Sequence, residues 1–205
     1  MAKLNKNYGN VSESYLFAEV ARRVNAFAKA NPDREIIRLG IGDVTLPLPQ
    51  AAADAMAKAA EEQARAETFR GYGPDHGYPF AKEAVRKYYQ SFGVELDSDE
   101  IFISEGAKSD IGNITELFAK DALALVPDPV YPVYVDTNVM DGREIRYIDG
   151  TAENGFLPSP PDFPADMVYL CSPNNPSGAV YNREQLGVWA DYANDCGAVI
   201  LFDAA

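Results

Sequence analysis

Met167-Val-Tyr-Leu-Cys171 is a short apolar run that passes without a break into Ser172-Pro-Asn-Asn-Pro-Ser-Gly178. Five such residues read as a buried strand, and two amides between prolines make a rigid polar turn at its carboxyl end. The pattern continues in both directions. Downstream, residues 183–195 have helical spacing and 198–202 form another apolar run. Upstream, strands are expected at 101–103, 122–126 and 145–148, and helices at 110–119 and 133–140. Strands alternating with helices imply βαβ units and a mostly parallel sheet covered on both faces, a three-layer αβα architecture of the α/β class. The first hundred residues differ. Helices are expected over 15–30, 51–66 and 79–92, a short strand over 36–41, and loops where Pro47 and Pro49 and the Gly71-Tyr-Gly-Pro74 string interrupt the pattern.

The chain has 205 residues, of which 47% are hydrophobic and 24% charged, a composition suited to a packed globular core. Its 18 basic against 31 acidic side chains give a net charge of −13, which argues against a nucleic-acid partner, because phosphate contacts need clustered Lys and Arg. His76 is the single histidine, so a His-rich metal site is excluded and a His-based triad has little to work with. Cys171 and Cys196 form no CxxC pair and read as buried thiols of a reducing compartment. The first residues lack an apolar signal region and no run is long enough to span a bilayer, so no membrane is expected and a cytoplasmic location is. The run 198–202 reads as a core strand, and a domain is expected to continue beyond it.

Ligands in open α/β sheets bind outside the carboxyl ends of the strands, so the residues that follow each strand matter most. Strand 101–103 leads to Ser104-Glu-Gly-Ala-Lys108, where small residues at a helix start and a lysine suit an anion; an ordinary strand-to-helix turn explains them equally. Strand 122–126 leads to Asp128-Pro-Val-Tyr-Pro132, which holds Tyr131 where it can stack on a flat ring or simply pack. After 167–171, Asn175 is restrained by Pro176 and can offer its amide, or can serve a structural turn. Asp203 ends the last strand, where a carboxylate needs a cation, a protonated ring nitrogen or a helix to cap. Anion, aromatic, amide and carboxylate sites on successive strand ends together form the set that pyridoxal phosphate requires.

The same residues carry a resemblance. Ile36-Ile-Arg-Leu-Gly-Ile-Gly-Asp-Val-Thr45, Thr68-Phe-Arg-Gly-Tyr-Gly-Pro74, Ser104-Glu-Gly-Ala-Lys108, Asp128-Pro-Val-Tyr-Pro-Val-Tyr-Val-Asp-Thr-Asn138 and Cys171-Ser-Pro-Asn-Asn-Pro-Ser-Gly178 run through nearly the whole chain. They resemble the fold-type I pyridoxal-phosphate aminotransferases, and within them the LL-diaminopimelate aminotransferases. The resemblance implies the incomplete large domain of a PLP-dependent transferase over 49–205, preceded by an N-terminal arm, a helix and the start of a small domain over 1–48. It implies that Ala107 and Lys108 lie at the cofactor phosphate, that Tyr131 stacks on the ring, that Asn175 bonds the phenolic oxygen and that Asp203 keeps the ring nitrogen protonated. Tyr15, Gly42, Lys108, Tyr131, Asn175 and Asp75 would contact an amino-acid substrate. Tyr72 would reach the cofactor of a second subunit, which implies a homodimer with shared sites.

Three features depart from that pattern. Asp75-His76 stands where Glu-Gln is expected, one methylene shorter against the distal ammonium of the substrate. Leu46 replaces an expected acidic residue, and Glu105 an expected aspartate. The Schiff-base lysine is expected beyond residue 205, so this chain contributes no catalytic lysine and is expected to be inactive alone. The implied reaction of the complete enzyme interconverts tetrahydrodipicolinate plus glutamate with LL-2,6-diaminopimelate plus 2-oxoglutarate, in lysine biosynthesis. A class I/II aminotransferase or PLP lyase of different substrate choice, or a non-catalytic interaction fragment, are the alternatives.

Overall fold

The structure is a computed structural model that describes residues 2–11, 16–38 and 46–204. Residues 13–103 form one compact unit, and 1–12 with 104–205 another.

The first unit is helical: α1 (Leu16–Ala30), α2 (Gln50–Gln63) and α3 (Pro79–Gln90). In α1, Glu19 accepts hydrogen bonds from both Arg22 and Arg23 at 2.7 Å, and these hold its carboxyl down at about 2. Pro79 opens α3 at its first turn, where its missing N–H costs no hydrogen bond. One strand expectation in this unit fails and another is only partly described. Residues 36–38 are irregular, and 39–41 lie outside the described residues. Residues 101–103 are extended at Ile101 but join no ladder. Their groups are taken up locally: the Ile103 N–H donates to the His76 carbonyl at 3.2 Å, and Phe102 packs edge-on against the His76 ring.

The second unit holds the sheet: β1 (Ala124–Asp128), β2 (Ile145–Asp149), β3 (Met167–Cys171) and β4 (Val199–Asp203), all parallel, in the order β2-β1-β3-β4. One face carries Ala124, Val126, Met167, Tyr169 and Cys171 and packs on α4 (Ala107–Ile114) and α5 (Pro132–Asp141) through Ile111, Tyr134 and Val135. The opposite face, with Leu125, Val168 and Leu170, packs on α6 (Arg183–Cys196) through Leu186, Trp189 and Tyr192. This is the three-layer α/β fold that the alternation of elements implies. Polar devices fix the helix ends. Asn182 and Gln185 form a capping box at the start of α6. Gly142 ends α5 at φ 77°, a left-handed conformation that glycine adopts without strain.

Arg143 is the main buried cation of this unit. Its guanidinium donates to the carbonyls of Thr115, Phe118 and Ala119 and to the Asp141 carboxylate, and so ties the loop after α4 to the end of α5. Burial pushes Asp141 upward, but Lys120 and Arg143 outweigh it and hold its carboxyl below the usual range. The last strand corrects an expectation. β4 is not buried: Val199 and Phe202 are 45% and 46% exposed, because β4 pairs with β3 alone and its other edge has no partner among the described residues.

Candidate active site

The strand order places a topological switch between β1 and β3. The connection from β1 leads outward to β2, and the one from β2 returns to the other side of β1. Such a switch opens a crevice at the carboxyl edge. The pairing shows how it opens. β3 and β4 stay in register over five pairs, from Met167↔Val199 to Cys171↔Asp203, whereas β1 and β3 pair only at Ala124↔Met167 and Leu125↔Val168. Two residues further along β1 stands Pro127, which has no N–H to give to a ladder. The loops after β1 and β3 therefore border one gap, and the end of β4 lies beside that of β3.

Tyr131 stands at the head of α5, as the N-cap before Pro132, and is half-buried. Its ring meets that of Tyr134 edge-on, with centroids 5.8 Å apart. The loop after β3 divides labour between two adjacent amides in a way the sequence did not reveal. Asn174 is buried, and its Nδ2 donates to the Pro129 carbonyl at 3.2 Å and to Ser177 Oγ at 2.8 Å. It thus pins the β3 loop to the β1 loop, and Asn175 is left exposed beside it. The Asp128–Pro129, Ser172–Pro173 and Asn175–Pro176 bonds are cis.

Asp203 closes β4 next to Cys171 and is half-buried. Its Oδ2 accepts a hydrogen bond from the Tyr134 hydroxyl at 2.5 Å. Burial, and then hydrogen bonding to Asp203 and Cys171, pushes the Tyr134 hydroxyl far above the usual phenol range, so that it remains a donor. Tyr134 was not anticipated from sequence. The signal was available: a helix opened by Pro132 puts residue 134 one turn from Tyr131, on the face turned to the strand ends.

The phosphate-loop candidates head α4. Gly106 caps it at φ 141°, which favours glycine, and Ser104 Oγ both accepts from the Gly106 N–H at 3.2 Å and donates to Asp110 at 2.6 Å. The first amides of a helix have no intrahelical acceptor, so those of Ala107 and Lys108 are open to an anion. Lys108 is exposed, and its charge opposes the burial that raises the Asp136 carboxyl on α5. Tyr72 and Asp75 lie in the helical unit and are exposed. Tyr15 and Gly42 fall outside the described residues. A broad cleft of about 600 Å³ also lies in the helical unit, lined by His76, Lys82, Asp97, Ser98, Asp99 and Phe102. None of its lining side chains is buried, and the strand-end edge has the more constrained chemistry.

An anion cradle, a fixed aromatic and a half-buried carboxylate on one unit narrow the family, and residues 34–205 match the family model of aminotransferase class I and II. The chain belongs to the class I and II aminotransferases. This family is pyridoxal-phosphate-dependent. The chain is 53% identical to the LL-diaminopimelate aminotransferase of Desulfosudis oleivorans over 216 residues, covering 100% of this chain and 53% of that one. It is 50% identical to the enzyme of the same name from Agathobacter rectalis, covering 100% and 54%. Among solved structures, the L,L-diaminopimelate aminotransferase of Chlamydomonas reinhardtii superposes with a TM-score of 0.87 at 40% identity, over 98% of this chain and 52% of that one. The aminotransferase chain described here thus spans about half the length of the curated relatives it matches. None of its described helices is long and apolar enough to cross a membrane.

Proposed function

We propose that this chain forms the cofactor-holding part of an LL-diaminopimelate aminotransferase, which moves an amino group between glutamate and LL-2,6-diaminopimelate in lysine biosynthesis. The observation that carries the cofactor assignment is the Asp203 carboxylate, held by Tyr134 at the end of a strand one helical turn from Tyr131. A half-buried carboxylate there is costly without a cationic partner, and a protonated pyridine nitrogen supplies one. Identity of about half to relatives of that name supports the substrate class.

The residues fit pyridoxal phosphate in distinct roles. Helix α4 offers the amides of Ala107 and Lys108, with the Lys108 charge, to the phosphate. Tyr131 supplies a face for the ring, and Asn175, restrained between Asn174 and Pro176, supplies a donor for the phenolic oxygen. Asp203 holds the proton on the ring nitrogen. When bound, the cofactor supplies an electron sink, and the protonated nitrogen is what makes that sink effective. Tyr15, Gly42, Asp75, Lys108, Tyr131 and Asn175 contact the amino-acid substrate, and Tyr72 serves the site of a second subunit in a cytoplasmic homodimer. Residues 1–48 form the arm and the start of a small domain, and 49–205 the large domain.

The lysine that bonds the cofactor covalently is not supplied by this chain, so the 205 residues alone are expected to give no turnover and no borohydride-reducible adduct. Amino-group transfer by the complete protein, measured with LL-diaminopimelate, aspartate and aromatic amino acids in turn, tests the substrate. Preference for diaminopimelate is expected. Preference for aspartate or an aromatic would favour the second reading, an aminotransferase of different specificity, which the short Asp75 carboxylate keeps in play.

A further inference from the structure

The Tyr134 hydroxyl reaches a carboxylate 69 residues away in the chain, and everything around it holds the ring still. Tyr134 is buried and lies nearly parallel to the Tyr169 ring, with centroids 5.1 Å apart at 19°. Asn138, also buried, donates from one Nδ2 to the Tyr134 carbonyl at 2.7 Å and to the Tyr169 hydroxyl at 2.9 Å. Tyr134 therefore belongs to the packed layer between α5 and the sheet, and its hydroxyl meets Asp203 at the end of β4. Its engagement of Oδ2 leaves Oδ1 of Asp203 for a ring nitrogen.

From this geometry we propose that Tyr134 is a positioning residue, which orients the Asp203 carboxylate so that Oδ1 meets the cofactor's ring nitrogen. The inference rests on the pyridoxal-phosphate reading above. Tyr131 and Tyr134 then act as one device, borne on the first turn of α5. The first sets the plane in which the ring lies, and the second sets the direction from which the carboxylate approaches within that plane. A carboxylate free to rotate about its terminal torsion meets a fixed nitrogen in only a fraction of its orientations. A charge-assisted hydrogen bond removes that freedom before the cofactor arrives.

The test uses the complete protein with Tyr134→Phe, Asp203→Asn and the double variant. Tyr134→Phe keeps the ring and its stack on Tyr169 and removes only the hydroxyl. Three readouts are followed: the Kd for pyridoxal phosphate by equilibrium dialysis, the pH midpoint of the bound cofactor's absorbance, and Tm without cofactor. The expected result is that Tyr134→Phe weakens cofactor binding about tenfold and moves the absorbance midpoint. In the Asp203→Asn background the same change should have no further effect on either. Unchanged Kd and midpoint in Tyr134→Phe, with normal binding by the unmodified protein, would overturn the positioning role. So would an effect of Tyr134→Phe that persists undiminished beside Asp203→Asn, because the hydroxyl would then act otherwise than through the carboxylate. A fall in Tm alone would assign Tyr134 to the core and equally overturn the proposal. Failure of the unmodified protein to bind pyridoxal phosphate at all would refute the cofactor reading itself.

Discussion

In the sheet unit every residue of β3 is buried, and every residue of β1 except Asp128. In the helical unit no residue of α2 or α3 is buried, although both helices carry an apolar stripe. Met56, Phe80, Tyr88 and Phe92 lie exposed there. The sequence pattern is equally clear in both units, so the difference lies in what the stripes find to cover them. Parallel strands receive a helix on each face from their own crossovers. Among its described residues the helical unit has no sheet of its own for its helices to pack on. Stability should therefore concentrate in residues 104–204, the unit that presents Tyr131, Asn175 and Asp203.

The largest test of that contrast is Trp189→Ala against Phe80→Ala. Trp189 fills the α6 face of the sheet and is 1% exposed. Its truncation should cost about 3–5 kcal/mol in urea unfolding, and Phe80→Ala about 0.5 kcal/mol or less. Comparable costs would erase the distinction between the units. Next comes Arg143→Ala, which strands the buried Thr115 carbonyl and the part-buried carbonyls of Phe118 and Ala119 and leaves Asp141 with Lys120 alone; a loss of about 3 kcal/mol is expected. Asn174→Ala should cost about 1–2 kcal/mol, since it unpins the loops after β1 and β3, and it should loosen cofactor binding as well. Asn182→Ala removes the α6 cap and should cost about 1 kcal/mol.

The two units should also respond to opposite ends of the pH scale. Burial pushes the hydroxyls of Tyr181 and Tyr192 up to about 12. The folded sheet unit thus favours the neutral phenols. Their contribution is complete below the unfolded phenol value, near about 10, and is lost as pH rises from there towards about 12. Glu19 in α1 is the reverse case. Its contribution is present above the unfolded carboxylate value of about 4 and is lost as pH falls towards about 2. Circular dichroism across pH, with Tyr181→Phe and Glu19→Gln as controls, separates the two. Each substitution should flatten only its own limb.

The sheet was legible because each strand is a short apolar run next to a helix of clear period. Local pattern alone gave β3 without error at either end, and β1, β2 and β4 to within two residues. It failed at 101–103, where an apolar triplet looks like a strand whether or not a neighbour exists to pair with it. It also misjudged β4, since apolar content does not say how many edges are covered. Of the candidate site residues, Tyr131 and Asn175 follow true strands, whereas Ala107 and Lys108 follow the unpaired 101–103 run and stand instead at the head of α4. Asp203 was read as a carboxylate in want of a partner, but its hydrogen-bond donor could not be found by spacing. Tyr134 meets it only because parallel pairing brings β4 beside β3 beneath α5. For the same reason nothing local separates Asn174 from Asn175, two identical side chains of which one ties loops together.

The central claim is that the carboxyl edge of β1, β3 and β4 is a pyridoxal-phosphate site. A crystal structure of the complete protein with the cofactor tests it most directly. The account predicts the phosphate at the amides of Ala107 and Lys108, the ring against Tyr131, and the ring nitrogen about 2.8 Å from Asp203 Oδ1 while Tyr134 still holds Oδ2. A ring bound elsewhere, or one whose nitrogen faces away from Asp203, would contradict it.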